Sequence, residues 1–239
     1  MQRTLSAEQV EAFHHDLFVE DQVRHFTGML PGRGGGRVVD VGGGCGHFVR
    51  RLHQLTDRPV RVIDTDRASL EICRAAGIEA RDEDALAPQA QGDEEVISFN
   101  LVLHHLVGSG EQATRALQIR ALQAWRGKVA TLFVNEYIYE SFVTNLSGRL
   151  IFAITSSRIL SALGRAVATV VPAFRANTFG VGVRFRAHDE WVALFSEAGF
   201  EVVDRRIGEP EHVAAPLRLM FIRQIRRDSF VLRAAPCTR

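Results

Sequence analysis

The residues best suited to chemistry begin with Val38-Val39-Asp40-Val41-Gly42-Gly43-Gly44-Cys45-Gly46-His47-Phe48, an apolar run, a glycine turn and the start of a helical pattern. Glycine admits positive φ and lets backbone approach a ligand closely. The helix that follows offers free N–H groups at its N-terminus. Such a turn can cradle a pyrophosphate or the amino-acid end of another nucleotide cofactor, or it can be a tight structural turn alone. Three details narrow the choice. Gly42, Gly44 and Gly46 are spaced G-x-G-x-G, shorter than the dinucleotide pattern G-x-G-x-x-G. Asp40 precedes the turn, where a carboxylate repels pyrophosphate but can anchor an ammonium, directly or through water. Asp64 ends the next apolar run, where a carboxylate can accept both hydroxyls of a ribose. Asp66 is a second candidate for that role, with a poorer fit to the following Leu70. Imidazole titrates near neutrality, so His104 and His105 are candidate bases, as is the acid Glu136. Each also has a plain structural reading, the histidines as packing or capping groups and Glu136 as a solvated strand-end acid.

These residues need a scaffold, and the patterning supplies one. Short apolar runs at 37–41, 60–63, 78–80, 96–99, 129–135, 199–203 and 217–225 suit buried strands. Helical patterns lie between them at 47–55, 69–76, 111–125 and 189–198, the last with Asp189 as expected N-cap. Residues 6–30 read as one or two N-terminal helices, with Phe13, Phe18, Val23 and Phe26 in the apolar stripe. The alternation predicts an α/β, Rossmann-like, doubly wound and mostly parallel sheet. The expected organisation is a single domain: an N-terminal helical cover (1–36), a cofactor-binding core (37–136), a helical lid (137–186) and the C-terminal part of the core (187–239).

In this order the motifs resemble the class I, seven-strand S-adenosylmethionine-dependent methyltransferases. The resemblance is carried by Asp40-x-Gly42-x-Gly44-x-Gly46, by Val62-Ile63-Asp64 with Leu70, and by the acidic turn Arg81 to Leu86. It continues with Val96 to Leu106, containing Leu103-His104-His105-Leu106, and with Ala198-Gly199-Phe200. It spans roughly 37–136 and 186–225. The resemblance implies S-adenosylmethionine as cofactor and S-adenosylhomocysteine as product. By position, Asp40, Gly42, Gly44 and Gly46 would hold the methionine end and Asp64 the ribose. Asp84 would face the adenine amino group, the Ala85 N–H the ring, and Asn100 would line the floor under the sulfonium. Cys45 departs from the usual small or polar loop residue and reads as tolerated packing. The reaction centre would lie beside His104, His105 and Glu136, with His105 the preferred base and Glu136 a base or an orienting group. A hydroxyl acceptor needs a base, whereas a carboxylate is already ionised near pH 7.

The lid should set the acceptor. From Ser141 to His188 there is no Asp, Glu or Lys, but there are Arg149, Arg158, Arg165, Arg175, Arg184 and Arg186, set among apolar runs. Arginine keeps its charge when partly buried and grips carboxylate or phosphate with a planar fork. The preferred expectation is a small, largely apolar, anionic acceptor, methylated at oxygen in secondary metabolism. A solvated cap and a membrane-surface patch serving a lipid or quinone-type acceptor are the other readings of the same segment. A macromolecular acceptor or a non-catalytic cofactor-binding partner protein are the rival functions.

Composition excludes several classes. The 239 residues are 46% hydrophobic with a formal net charge of +1, which gives no field for nucleic acid. Cys45, Cys73 and Cys237 are too scattered for a disulfide framework or a zinc site, and adjacent histidines in His14-His15-Asp16 diverge on a helix, so no metal is expected. No signal-like or membrane-spanning run is seen, so a cytoplasmic location is expected. A homodimer through the apolar lid is compatible with the pattern.

Overall fold

The computed structural model describes residues 17–31, 35–175 and 178–236. The first part of the N-terminal helical reading, His14-His15-Asp16 and Cys237 lie outside them. In chain order the elements are α1 (Val19–Met29), β1 (Arg37–Val41), α2 (His47–Thr56), β2 (Val60–Asp64), α3 (Arg67–Ala75) and β3 (Glu79–Asp82). There follow β4 (Glu94–Asn100), a 3₁₀ turn (Leu103–His105), α4 (Glu111–Gln123) and β5 (Thr131–Ser141). The remainder is α5 (Leu146–Ser156), α6 (Arg158–Val170), a 3₁₀ turn (Pro172–Phe174), α7 (His188–Glu197), β6 (Phe200–Arg206), α8 (Ala215–Arg218) and β7 (Ile222–Ala234).

The strands form one seven-stranded sheet in the order β3-β2-β1-β4-β5-β7-β6. β1 to β5 pair in parallel, and β7 is antiparallel to both β5 and β6. Strands buried on both faces need continuous apolar runs, and Val38, Val39, Val41, Val62, Ile63, Ile97 and Phe99 are all buried. On one face Trp125, Trp191, Leu194 and Phe195 close the core. On the other, Phe26, Phe48, Leu52 and Leu70 do so. The order reverses between β1 and β4, which opens a crevice at their carboxyl ends.

Three departures from the sequence reading matter for the site. β5 runs on to Ser141, into the expected lid, because β7 pairs with it from Leu132↔Leu232 to Ser141↔Ile222. The last strand begins only at Ile222, since Pro216 opens the short helix α8. α7 starts at His188 rather than after Asp189, and its first turn is closed by Glu190, which accepts from the Ala187 N–H at 3.1 Å.

The lid is a pair of helices bent by 100° about Ser157. Among the described residues, no single helix is long and apolar enough to cross a membrane. Gly148 lets α5 press on the returning chain, for a Cβ there would lie 2.2 Å from the Phe185 carbonyl oxygen.

Candidate active site

The glycine loop leaves β1 at the crevice. Gly42, Gly44 and Gly46 take φ of 69°, 52° and 71°, the left-handed region that favours glycine. A Cβ on Gly42 would strike the Val102 side chain at 2.3 Å, whereas one on Gly44 would meet nothing within 4 Å. The loop is thus tight on its protein side and open at Gly44. The Gly44 N–H donates to Asp64 Oδ2 at 2.9 Å. Asp64 Oδ1 accepts from the N–H groups of Thr65 (2.7 Å) and Asp66 (2.9 Å). Asp66 instead caps α3, accepting from the Ser69 N–H at 2.9 Å. Of the two acids, Asp64 is the one bound to the loop.

Asp40 lies beneath the loop and is buried. Burial pushes its carboxyl up to about 7, against the pull of two hydrogen bonds. Those come from Ser98 Oγ (2.7 Å) and Asn100 Nδ2 (2.9 Å), both to Oδ1. No cation among the described residues bonds this carboxylate. The other end of the amide, Asn100 Oδ1, is buried without a hydrogen-bond partner among the described residues. An acid poised to ionise and an orphaned acceptor are what a buried ammonium or polarised ligand would satisfy. Past β3, Asp84 Oδ1 accepts from the Leu86 N–H at 2.9 Å and shapes the turn holding Ala85. The Glu83 N–H ties that turn to the Asp64 carbonyl at 3.1 Å. Asp40, the glycines, Asp64, Asp84, Ala85 and Asn100 therefore share the carboxyl edge of β1 to β4.

Four residues beyond Asn100 stands a histidine–carboxylate pair. His104 Nδ1 lies 2.6 Å from Glu136 Oε2, and Glu136 Oε1 accepts from the Leu103 N–H at 2.7 Å. Both side chains are buried, so Glu136 has the arrangement of an orienting group. The His105 ring lies 4.2 Å from that of His104. Burial, with His104 beside it, holds His105 well below the ordinary imidazole value, so it is neutral at pH 7. Both histidines line a cavity of about 580 Å³ that the lid roofs.

The cavity wall is aromatic and aliphatic, and sequence reasoning missed part of it. Tyr137, Tyr139 and Phe185 form one side, with Tyr139 and Phe185 stacked at 4.1 Å. The Tyr137-Ile138-Tyr139 alternation on a strand was the available signal, since residues two apart share a face. Burial raises both tyrosines, Tyr137 to about 12, so neither is ionised near neutrality.

The lid arginines are not all free to meet an anion. Arg184 is fully buried and bonds Glu111 (2.6 Å) and Glu190 (2.7 Å). Arg186 bonds Glu111 at 2.8 Å and Gln118 at 2.9 and 2.7 Å. A buried guanidinium needs such partners, and here α4 and α7 supply them. Only Arg175 of the six reaches the cavity wall. His188, at the start of α7, bonds Asp228 Oδ2 at 2.7 Å and serves the sheet.

The sheet order, the glycine loop at the switch point and the antiparallel β7 together define the class I, Rossmann-like methyltransferase fold. Solved structures agree. A SAM-dependent methyltransferase from Geobacter sulfurreducens, in complex with S-adenosyl-L-homocysteine, superposes with TM-score 0.55 at 14% identity, covering 98% of this chain and 100% of that one. The mitomycin 7-O-methyltransferase MmcR gives 0.55 at 15%, covering 92% of this chain but 54% of its own length. The [4+2]-cyclase SpnF gives 0.57 at 16%, covering 90% and 80%. No family model matches the chain, and no curated protein matches it in sequence.

Proposed function

We propose that this chain is an S-adenosylmethionine-dependent methyltransferase acting at oxygen on a small, largely apolar acceptor of secondary metabolism. The observation that carries the reading is the placement of neutral His105 in the wall of a 580 Å³ apolar cavity, a few residues from the Asp40–Asn100 pair under the glycine loop. Cofactor-bound neighbours of the same fold support the choice of cofactor, and a small-molecule O-methyltransferase among them supports the acceptor class. Because the same fold also serves a cyclase, the reading rests on the site rather than on the fold.

Asp40 and the backbone of Gly42, Gly44 and Gly46 would hold the methionine end. Asp64 would accept from the ribose, Asp84 from the adenine amino group, and the Ala85 N–H would meet the ring. Asn100 would line the floor beside Asp40. The bound cofactor supplies a methyl group already activated on a sulfonium. The chain's part is to align the acceptor, exclude water and take its proton. His105, neutral at pH 7, accepts that proton from an acceptor hydroxyl. His104, fixed through Nδ1 by Glu136, sets the floor on which His105 packs. Tyr137, Tyr139 and Phe185 press the acceptor toward the crevice.

The test uses cofactor labelled in its methyl group, purified protein and a lysate of the source cells. Label in the organic-extractable fraction, lost or strongly reduced with His105→Ala, is the expected result. Label in protein or RNA, or transfer that His105→Ala leaves unchanged, would refute the acceptor or the base. No transfer despite cofactor binding would favour the non-catalytic rival.

A further inference from the structure

Helix α6 is amphipathic the wrong way round. Ile159, Leu163, Ala166 and Val170 recur at intervals of four, three and four residues and form one stripe. That stripe faces water: Ile159 is 82% exposed, Val170 81% and Leu163 61%. The residues α6 buries are Ser161 and Ala168, on the opposite side. α5 differs: it too buries Ser147, Gly148 and Thr155, but its large side chains are half-buried, with Ile151 and Ile154 in the cavity wall. A water-facing helix is expected to bury its large aliphatics and expose its small and polar side chains. Here the order is reversed, and the reversal extends to Leu219, 76% exposed beside α8. α8 lies against the Pro172–Phe174 turn that follows α6.

The acceptor cavity opens on this face. Leu160, Leu163, Val167 and Arg175 line it and are themselves exposed, with Leu217 and Met220 of the α8 segment on the other bank. The throat is therefore continuous with the exposed apolar stripe. The charge around it has one sign. Arg149, Arg158, Arg175 and Arg218 are exposed and have no ion pair among the described residues. The nearby acids Glu140 and Glu211 are taken by Arg226 and Arg227. Exposed aliphatics flanked by unpaired arginines, with no acid from Ser141 to His188, match the chemistry of an anionic bilayer interface.

We infer that the α6–α8 face docks on an anionic phospholipid surface and that the acceptor enters the cavity from the membrane. The second clause rests on the cavity being the acceptor site; the docking itself does not, so it is tested without turnover. The full chain, with S-adenosylhomocysteine added, is sedimented with vesicles of phosphatidylcholine and with vesicles also containing phosphatidylglycerol. The expected result is binding to the anionic vesicles that weakens with salt. Ile159→Asp with Val170→Asp, neither in the cavity wall, should weaken it on the order of tenfold or more. Arg158→Ala and Arg218→Ala should each weaken it about fivefold. An unchanged thermal transition in the variants shows that they fold. Failure of the wild-type chain to bind anionic vesicles overturns the inference. So does a dimer in solution that Ile159→Asp converts to monomer without any vesicle binding, for the face is then an interface between copies.

Discussion

Replacing Asp40 by Asn should stabilise the fold at the expense of cofactor binding, and by an amount that depends on pH. In the folded chain burial raises this carboxyl from an ordinary 3.8 to about 7. Between those two values the folded state holds a proton that the unfolded state has released, so stability falls as pH rises. The contribution is fully present below about pH 4 and is lost as pH passes 7. Each pKa unit is worth about 1.4 kcal/mol. Between pH 5 and pH 8 the wild type should therefore lose about 3 kcal/mol that Asp40→Asn keeps. The asparagine can still accept from Ser98 and Asn100 through its Oδ1, so the hydrogen bonds of the site survive. Other titrating groups are common to both proteins and cancel in the difference. The assay is denaturant unfolding of both proteins at pH 5 and pH 8, beside cofactor titration. Wild-type affinity for S-adenosylmethionine should rise from pH 6 to pH 8 as Asp40 ionises, and the variant should bind at least tenfold more weakly at pH 8. A stability difference equal at both pH values would refute the burial argument. Equal affinity at pH 8 would refute the placing of the ammonium on Asp40.

Glu136→Gln keeps an acceptor for the Leu103 N–H but removes the charge facing His104. It should cost about 1.5–3 kcal/mol of stability, read by denaturant unfolding, and lower kcat with little change in KM, because it disturbs orientation rather than binding. Arg186→Met should destabilise by about 1–3 kcal/mol, because the buried Gln118 loses both its donors while Glu111, 41% exposed, keeps Arg184. The double variant Arg186→Met with Glu111→Gln should recover part of that loss, which a double-mutant cycle measures.

What was legible in the sequence was local. The glycine spacing, Asp40 before the turn and Asp64 at the end of the next strand lie within a few residues of the elements that position them. Their geometry follows from a strand, a turn and a helix start. The alternation of apolar strands with helices likewise led to the doubly wound, mostly parallel sheet. What was not legible depends on partners far along the chain. Arg184 and Arg186 suggested an anion site because their own segment holds no acid, yet Glu111 lies 73 and 75 residues away, bonds both and with Glu190 balances their charge. The same blindness shortened β5, whose last residues are strand only because β7 pairs with them. Glu136 offered two roles by type, and its contacts with the Leu103 N–H and with His104 lie too far apart in the chain to be read from its own neighbours.

The place of β7 in the sheet has a consequence for synthesis. The last strand to be made lies between β5 and β6, both of which precede it. A chain still emerging from the ribosome can assemble β1 to β5, but β5 then presents an open edge bearing Leu132, Phe133 and Val134. β6 has no neighbour to join until β7 arrives. Such an edge invites pairing with other chains, so the nascent protein carries its greatest aggregation hazard after the cofactor half is complete and before the final strand closes the gap.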